Sequence, residues 1–154
     1  MYKTYFQKDL IYSHKRENKK SICFITGVPG AGKTLAGLNI ANERHKFDEN
    51  EHAVFLSGNQ PLVEVLQEAL ARDENSQFKT KKSEALIKAK AFIQNIHHFR
   101  DDAMKNYLPP NEKVAIFDEA QRAWTEDMLT NFMARKKGKS NFNMSEPEFL
   151  ISVM

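Results

Sequence analysis

Short, almost wholly apolar runs alternate along the chain with longer stretches in which apolar residues recur every three or four positions. Residues 21–26 (Ser-Ile-Cys-Phe-Ile-Thr), with charge before them and glycine after, have the pattern of a strand buried on both faces of an α/β sheet. In the next stretch Leu35, Leu38 and Ala41 fall at helical spacing, predicting a helix that ends near 46–51. A second strand, 53–57, leads through Gly58, Asn59 and Gln60 into a helix starting at Pro61, with Leu62, Val63, Leu66 and Leu70 as its apolar stripe. Residues 73–82 are polar and predict a loop. From 84 to 107, Phe92, Ile96, Phe99 and Ala103 predict helix, with a short strand within 91–97 as the alternative. After Pro109 and Pro110 the run 113–119 reads as a buried strand ending in two acids. A helix over 126–135 and a basic loop over 136–143 follow. Ser145-Glu146-Pro147-Glu148 then makes a capping-box start for a helix over 149–153. Strand, helix, strand, helix, strand in this order predicts a three-layer fold around a parallel sheet.

Glycine is unevenly distributed. Only six are present, and Gly27, Gly30, Gly32 and Gly37 fall within one short stretch. Gly27-Val28-Pro29-Gly30-Ala31-Gly32-Lys33-Thr34 matches G-x-x-x-x-G-K-[ST] in full, between a predicted strand and a predicted helix, which is the context this phosphate-binding (Walker A) pattern requires. Glycines let successive N–H groups curl around a phosphate, and a helix N-terminus adds partial positive charge. In this reading residues 27–34, with Leu35, cradle ATP, Lys33 reaches the β- and γ-phosphates, and the Thr34 hydroxyl faces Mg²⁺.

The strand ending at Asp118-Glu119 supplies the acidic (Walker B) half, because parallel strands bring their C-terminal ends to one sheet edge. Asp118 is expected to hold the Mg²⁺ shell. Glu119 is expected to orient or deprotonate the attacking water, which favours ATP hydrolysis over phosphoryl transfer to a small molecule.

Asp118-Glu119-Ala120-Gln121-Arg122-Ala123-Trp124 resembles the DEAQ box of superfamily 1 DNA/RNA helicases and translocases. Four segments, 56–63, 92–99, 117–124 and 145–148, resemble one branch of these, the schlafen group 3-like DNA/RNA helicase domain; Gln60 stands where that family would have glycine. The resemblance implies an α/β, three-layer RecA-like P-loop NTPase with a mostly parallel sheet, incomplete in this chain. Residues 1–20 would form a lead-in helix and 21–154 the N-terminal lobe, truncated at its C-terminus, with a second RecA-like lobe or partner chain missing. It also implies that Gln121, with Arg122, couples the γ-phosphate site to nucleic acid. Ser57-Gly58-Asn59 would lie where a single strand of DNA or RNA is touched, and Gln7 could read adenine. Two other readings share the motifs: an AAA+ or zonula occludens toxin-like phage-assembly ATPase, and a non-catalytic nucleotide-binding regulatory fragment.

Composition adds limits. With 41% hydrophobic and 28% charged residues, the 154-residue chain suits one globular domain and not a collagen-like chain. A formal charge of +3 is too mild to imply nucleic-acid binding, so the basic clusters matter more: Lys15, Arg16, Lys19 and Lys20; Lys79, Lys81 and Lys82; and Arg135, Lys136, Lys137 and Lys139. No window approaches the roughly 20 apolar residues of a membrane span, and the polar N-terminus lacks a signal-peptide run, so the expected location is cytoplasmic. Cys23 is expected as a small core residue, Trp124 in the core, and the adjacent His97 and His98 in packing, since on a helix they point about 100° apart.

Overall fold

The computed structural model describes residues 19–47, 52–106, 110 and 112–154. They form an α/β structure with helices on both faces of a three-stranded parallel sheet, in the order α1 (Lys33–Phe47), β1 (His52–Ser57), α2 (Gln60–Phe78), α3 (Lys82–Phe92), β2 (Ile93–Asn95), α4 (Ile96–Asn106), β3 (Glu112–Asp118), α5 (Glu126–Lys137) and α6 (Glu146–Val153), with a 3-10 turn (Ala120–Arg122) between β3 and α5. The sheet runs β2-β1-β3. In the central strand Ala53 to Ser57 are all buried, as a continuous apolar run in a sheet covered on both sides should be.

Alternation sends the side chains of β1 into two cores. Ala53 and Phe55 meet Ala41, Val63, Phe92 and Ile93, with Leu38, Leu66 and Leu70 packed against them, so α1, α2 and α3 cover one face. Val54 and Leu56 meet Ile96, Phe99 and Leu150 on the other, under α4 and α6. On α2 and α3 the small residues Ala71, Ala85 and Ala89 make a third buried contact. Gly37 sits mid-helix in α1 for a steric reason: a Cβ there would lie 3.0 Å from Ile116 Cγ2, so glycine lets α1 settle onto β3.

Three expectations are corrected. Residues 21–26 form no strand: Phe24 is 82% exposed, and Ile22, Cys23 and Ile25 are exposed with it. The apolar run meets the side-chain requirement of a strand, but a strand also needs a neighbour's backbone. Among the described residues β3 pairs only with β1, and no ladder reaches 21–26. The predicted 73–82 loop shrinks to the three residues between α2 and α3. Polar pairs one turn apart extend α2 into it, Gln77 donating to Asp73 (2.7 Å) after Arg72 to Glu68 (2.8 Å) in the turn before, until Lys79 ends the helix in the left-handed region at φ 57°. The single helix expected over 84–107 is broken by β2, the alternative reading, which pairs Phe55 with Ile93 and Ser57 with Asn95.

The expected buried strand over 113–119 is β3, but it is half-buried and stops at Asp118, because among the described residues it has a strand neighbour on one side only; the other elements follow the sequence closely. Asn59 caps α2, accepting from the Leu62 N–H, with Pro61 in the first turn. Ser145 and Glu148 close the capping box of α6. The helix α5 carries Glu126 and Asp127 in its first turn and Arg135, Lys136 and Lys137 in its last, so the late basic cluster largely complements a helix dipole. Among the described residues no helix is long and apolar enough to cross a membrane. The lead-in helix, Gln7, Lys15 and Arg16 lie outside the described residues.

Candidate functional site

Register places the chemistry. Ser57 of β1 pairs with Asp118 of β3 on one side and Asn95 of β2 on the other, so three polar residues line up across the C-terminal edge of the sheet. The glycine-rich loop rises at this edge, followed at once by α1, with Gly30 and Gly32 both at φ +77°. L side chains rarely adopt that conformation, and a Cβ at either glycine would meet nothing within 4 Å. A turn bond from Ala31 N–H to Val28 O (3.1 Å) closes the loop, and the Ala36 N–H bonds back to Gly32 O (2.9 Å) as α1 begins.

The Lys33 ammonium folds over the loop and donates to the carbonyls of Gly27 (2.9 Å) and Val28 (3.0 Å). Thr34, the next residue, donates its hydroxyl to Asp118 Oδ1 at 3.0 Å across 84 residues of sequence. The other oxygen, Asp118 Oδ2, is buried without a hydrogen-bond partner. A buried, unpartnered carboxylate oxygen beside a hydroxyl is the donor set a hard divalent cation takes, so the residues present fit Mg²⁺. The open glycine cradle at a helix N-terminus fits a phosphate chain. Leu35, on the first turn of α1, is 61% exposed.

Beyond Asp118 the chain turns sharply. Glu119 has φ 56°, a left-handed conformation that costs a non-glycine residue on the order of 1–3 kcal/mol and persists only where its surroundings hold it. Its half-exposed carboxylate accepts a hydrogen bond from Gln121 Nε2 and lies 3.6 Å from Arg122 Nε. Asp118, Glu119, Gln121 and Arg122 are thus brought together at the sheet edge with Thr34.

Ser57 is fully buried, and its hydroxyl accepts from the Asn59 N–H (3.2 Å), leaving Gly58 and Asn59 exposed above the strand end. Gln60 accepts from Asn95 Nδ2 (3.0 Å) and donates to Glu64 (2.8 Å), so the turn after β1 is tied to β2 by a side chain that glycine would lack.

Sequence reasoning missed one cluster. Arg100 and Glu146, 46 residues apart, are each 1% exposed and bonded at 3.1 Å. The Arg100 guanidinium also donates to Asp101 Oδ1 through Nε (3.3 Å) and Nη2 (3.2 Å), and it lies over the rings of Trp124 (4.9 Å) and Phe132 (5.1 Å). Lys137 bonds Asp101 at 2.7 Å, and the His97 ring lies tilted against Trp124 with centroids 4.8 Å apart, while its Nδ1 lies 3.4 Å from Glu146 Oε1. Trp124 is therefore half-buried, packed against the core of Met104, Leu129, Met133 and Phe149, and His98 is exposed instead of packed. Ser145-Glu146-Pro147-Glu148 was conspicuous as a helix cap, but nothing local marks Glu146 as buried.

Burial raises the Glu146 carboxyl, but hydrogen bonds from His97 and the Trp124 N–H, with the His97 and Arg100 charges, outweigh it and hold the group below the usual glutamate range. Asp101 is lowered in the same way: burial raises it, and Lys137 and Arg100 prevail. A carboxyl depressed in the folded state contributes its stability in full above its unfolded pKa, about 4. That stability is lost as pH falls through the lower folded value. The melting temperature is therefore expected to fall steeply below about pH 4, and less steeply in Glu146→Gln; parallel curves in thermal scans would remove Glu146 as a source.

The family model described as Schlafen group 3, DNA/RNA helicase domain, matches residues 20–154, a span that takes in the glycine loop, the Asp118 turn and the Ser145 cap. No curated protein and no solved structure matches the chain.

Proposed function

Because the chain belongs to the schlafen group 3 DNA/RNA helicase domain family, we propose that it is the RecA-like, ATP-binding lobe of a helicase-like NTPase that acts on single-stranded nucleic acid. The observation that carries the ATP half is the Thr34 to Asp118 bond, which unites the end of the glycine loop with the end of β3 and leaves Asp118 Oδ2 free for a cation. In this reading the N–H groups of residues 27–34 and the N-terminus of α1 bind the phosphates. Lys33 exchanges its two carbonyl partners for β- and γ-phosphate oxygens.

Thr34 and Asp118 hold Mg²⁺, which when bound neutralises charge between the phosphates. Glu119 orients the attacking water and accepts its proton. Gln121, bonded to Glu119, and Arg122 pass the state of that carboxylate to the rim where Ser57, Gly58 and Asn59 lie.

The test is equilibrium ATP binding with and without Mg²⁺, followed by phosphate release with and without single-stranded DNA or RNA. Mg²⁺-dependent binding and stimulated release are the expected results. Binding with phosphate release that neither nucleic acid stimulates would favour the phage-assembly class of ATPase, and absence of binding would end the proposal.

A further inference from the structure

The turn 119–123 carries the residues assigned to water activation and relay, yet residues 119–122 are exposed and the turn begins with a left-handed glutamate. Something must hold it. At its front end Asp118 is fixed by pairing with Ser57 and by the Thr34 hydroxyl. At its back end Trp124 is held by a reciprocal pair of bonds with one residue: its N–H donates to Glu146 Oε2 (3.1 Å), and its carbonyl accepts from the Glu146 N–H (3.0 Å). The second carboxylate oxygen of Glu146 takes the Arg100 guanidinium, which is fastened through Asp101 to Lys137 of α5.

We infer that Glu146 is a positioning residue: by clamping both backbone groups of Trp124 against Arg100, it fixes the turn that presents Glu119 and Gln121 to the phosphate loop. The inference rests on the ATP-binding reading above. A carboxylate is required at this position, because one oxygen accepts from a backbone N–H while the other accepts from a guanidinium. An amide has a single oxygen, and its NH₂ would face either the Arg100 donors or the Trp124 donor. Glu146 touches no phosphate-loop residue, so its loss should leave ATP affinity in place.

Trp124 is the chain's one tryptophan, so its fluorescence reports the clamp directly. In Glu146→Gln the emission is expected to shift to the red without nucleotide present. The dissociation constant for Mg·ATP should stay within about threefold of the parent, and turnover per bound nucleotide should fall roughly tenfold to a hundredfold, as a misplaced catalytic group causes. Should this variant not fold, Arg100→Lys, which keeps the buried charge but loses the fork, carries the same three readouts.

A folded variant with unchanged emission and turnover would overturn the inference. So would affinity and turnover falling together in proportion to the folded fraction, the mark of a merely structural role. A parent that binds no ATP would instead refute the functional reading, and the emission measurement would then decide the clamp by itself.

Discussion

Lys33→Ala is expected to weaken ATP binding by more than about tenfold, which removes it at concentrations that half-saturate the parent. The ammonium already sits at the mouth of the glycine loop, held among the described residues by the Gly27 and Val28 carbonyls, which are neutral acceptors that a charged phosphate oxygen outcompetes. Hydrogen bonds to charged groups contribute about 1.5–3 kcal/mol each. Truncating one member of a desolvated charge pair costs about 2–5 kcal/mol, much of it from the charge left unpaired. Even the low end of that range weakens binding by more than about tenfold and the high end by more than about a thousandfold. Apart from the two loop bonds the core should not change, because Lys33 belongs to none of the buried clusters of the sheet. The variant should therefore melt with the parent, and isothermal titration on both proteins separates lost binding from lost folding. Retained affinity would remove the phosphate role of the loop.

The same loop shows how far the sequence reaches. Its pattern is contiguous, so spacing alone places a turn of left-handed glycines before a helix, and Gly30 and Gly32 have that geometry. The strands β1 and β3 are legible because apolar runs of five to seven residues bounded by polar groups have few other homes. Residues 21–26 have the same composition and form no strand, since composition speaks for side-chain burial and not for which backbone lies alongside. The end of α2 was hidden for the opposite reason: Asp73 and Gln77 stabilise helix by polar pairing, which leaves no trace in hydrophobic periodicity.

Long-range polar pairing was the least legible. Thr34 and Asp118 could be matched because each belongs to a motif whose chemistry requires the other. Arg100 and Glu146 carry no such label; both read as ordinary surface charges until the fold brings them together at 1% exposure. The clamp on Trp124 is thus a product of tertiary structure, although Trp124 itself stands five residues beyond Glu119 in plain view.

Glu119→Gln is expected to leave ATP binding intact and to lower hydrolysis by about 10²–10⁴-fold, the usual contribution of a positioned general base. The substitution keeps the size of the side chain and asks nothing new of the backbone, which is already left-handed at this residue. It removes only the capacity to take a proton, together with the charge that draws Gln121 and Arg122 inward. Because Lys33, Thr34 and Asp118 are untouched, the dissociation constant should stay within about twofold of the parent, well under the tenfold that 1.4 kcal/mol would produce. Phosphate release and binding measured on the same preparation therefore separate the role proposed for Glu119, on the water, from the cation role proposed for Asp118. Equal turnover in variant and parent would take the general-base role from Glu119. A parent that binds Mg·ATP but releases no phosphate, even with single-stranded nucleic acid present, would make the site a nucleotide-binding switch, in which the Gln121 and Arg122 bonds to Glu119 relay occupancy and not hydrolysis.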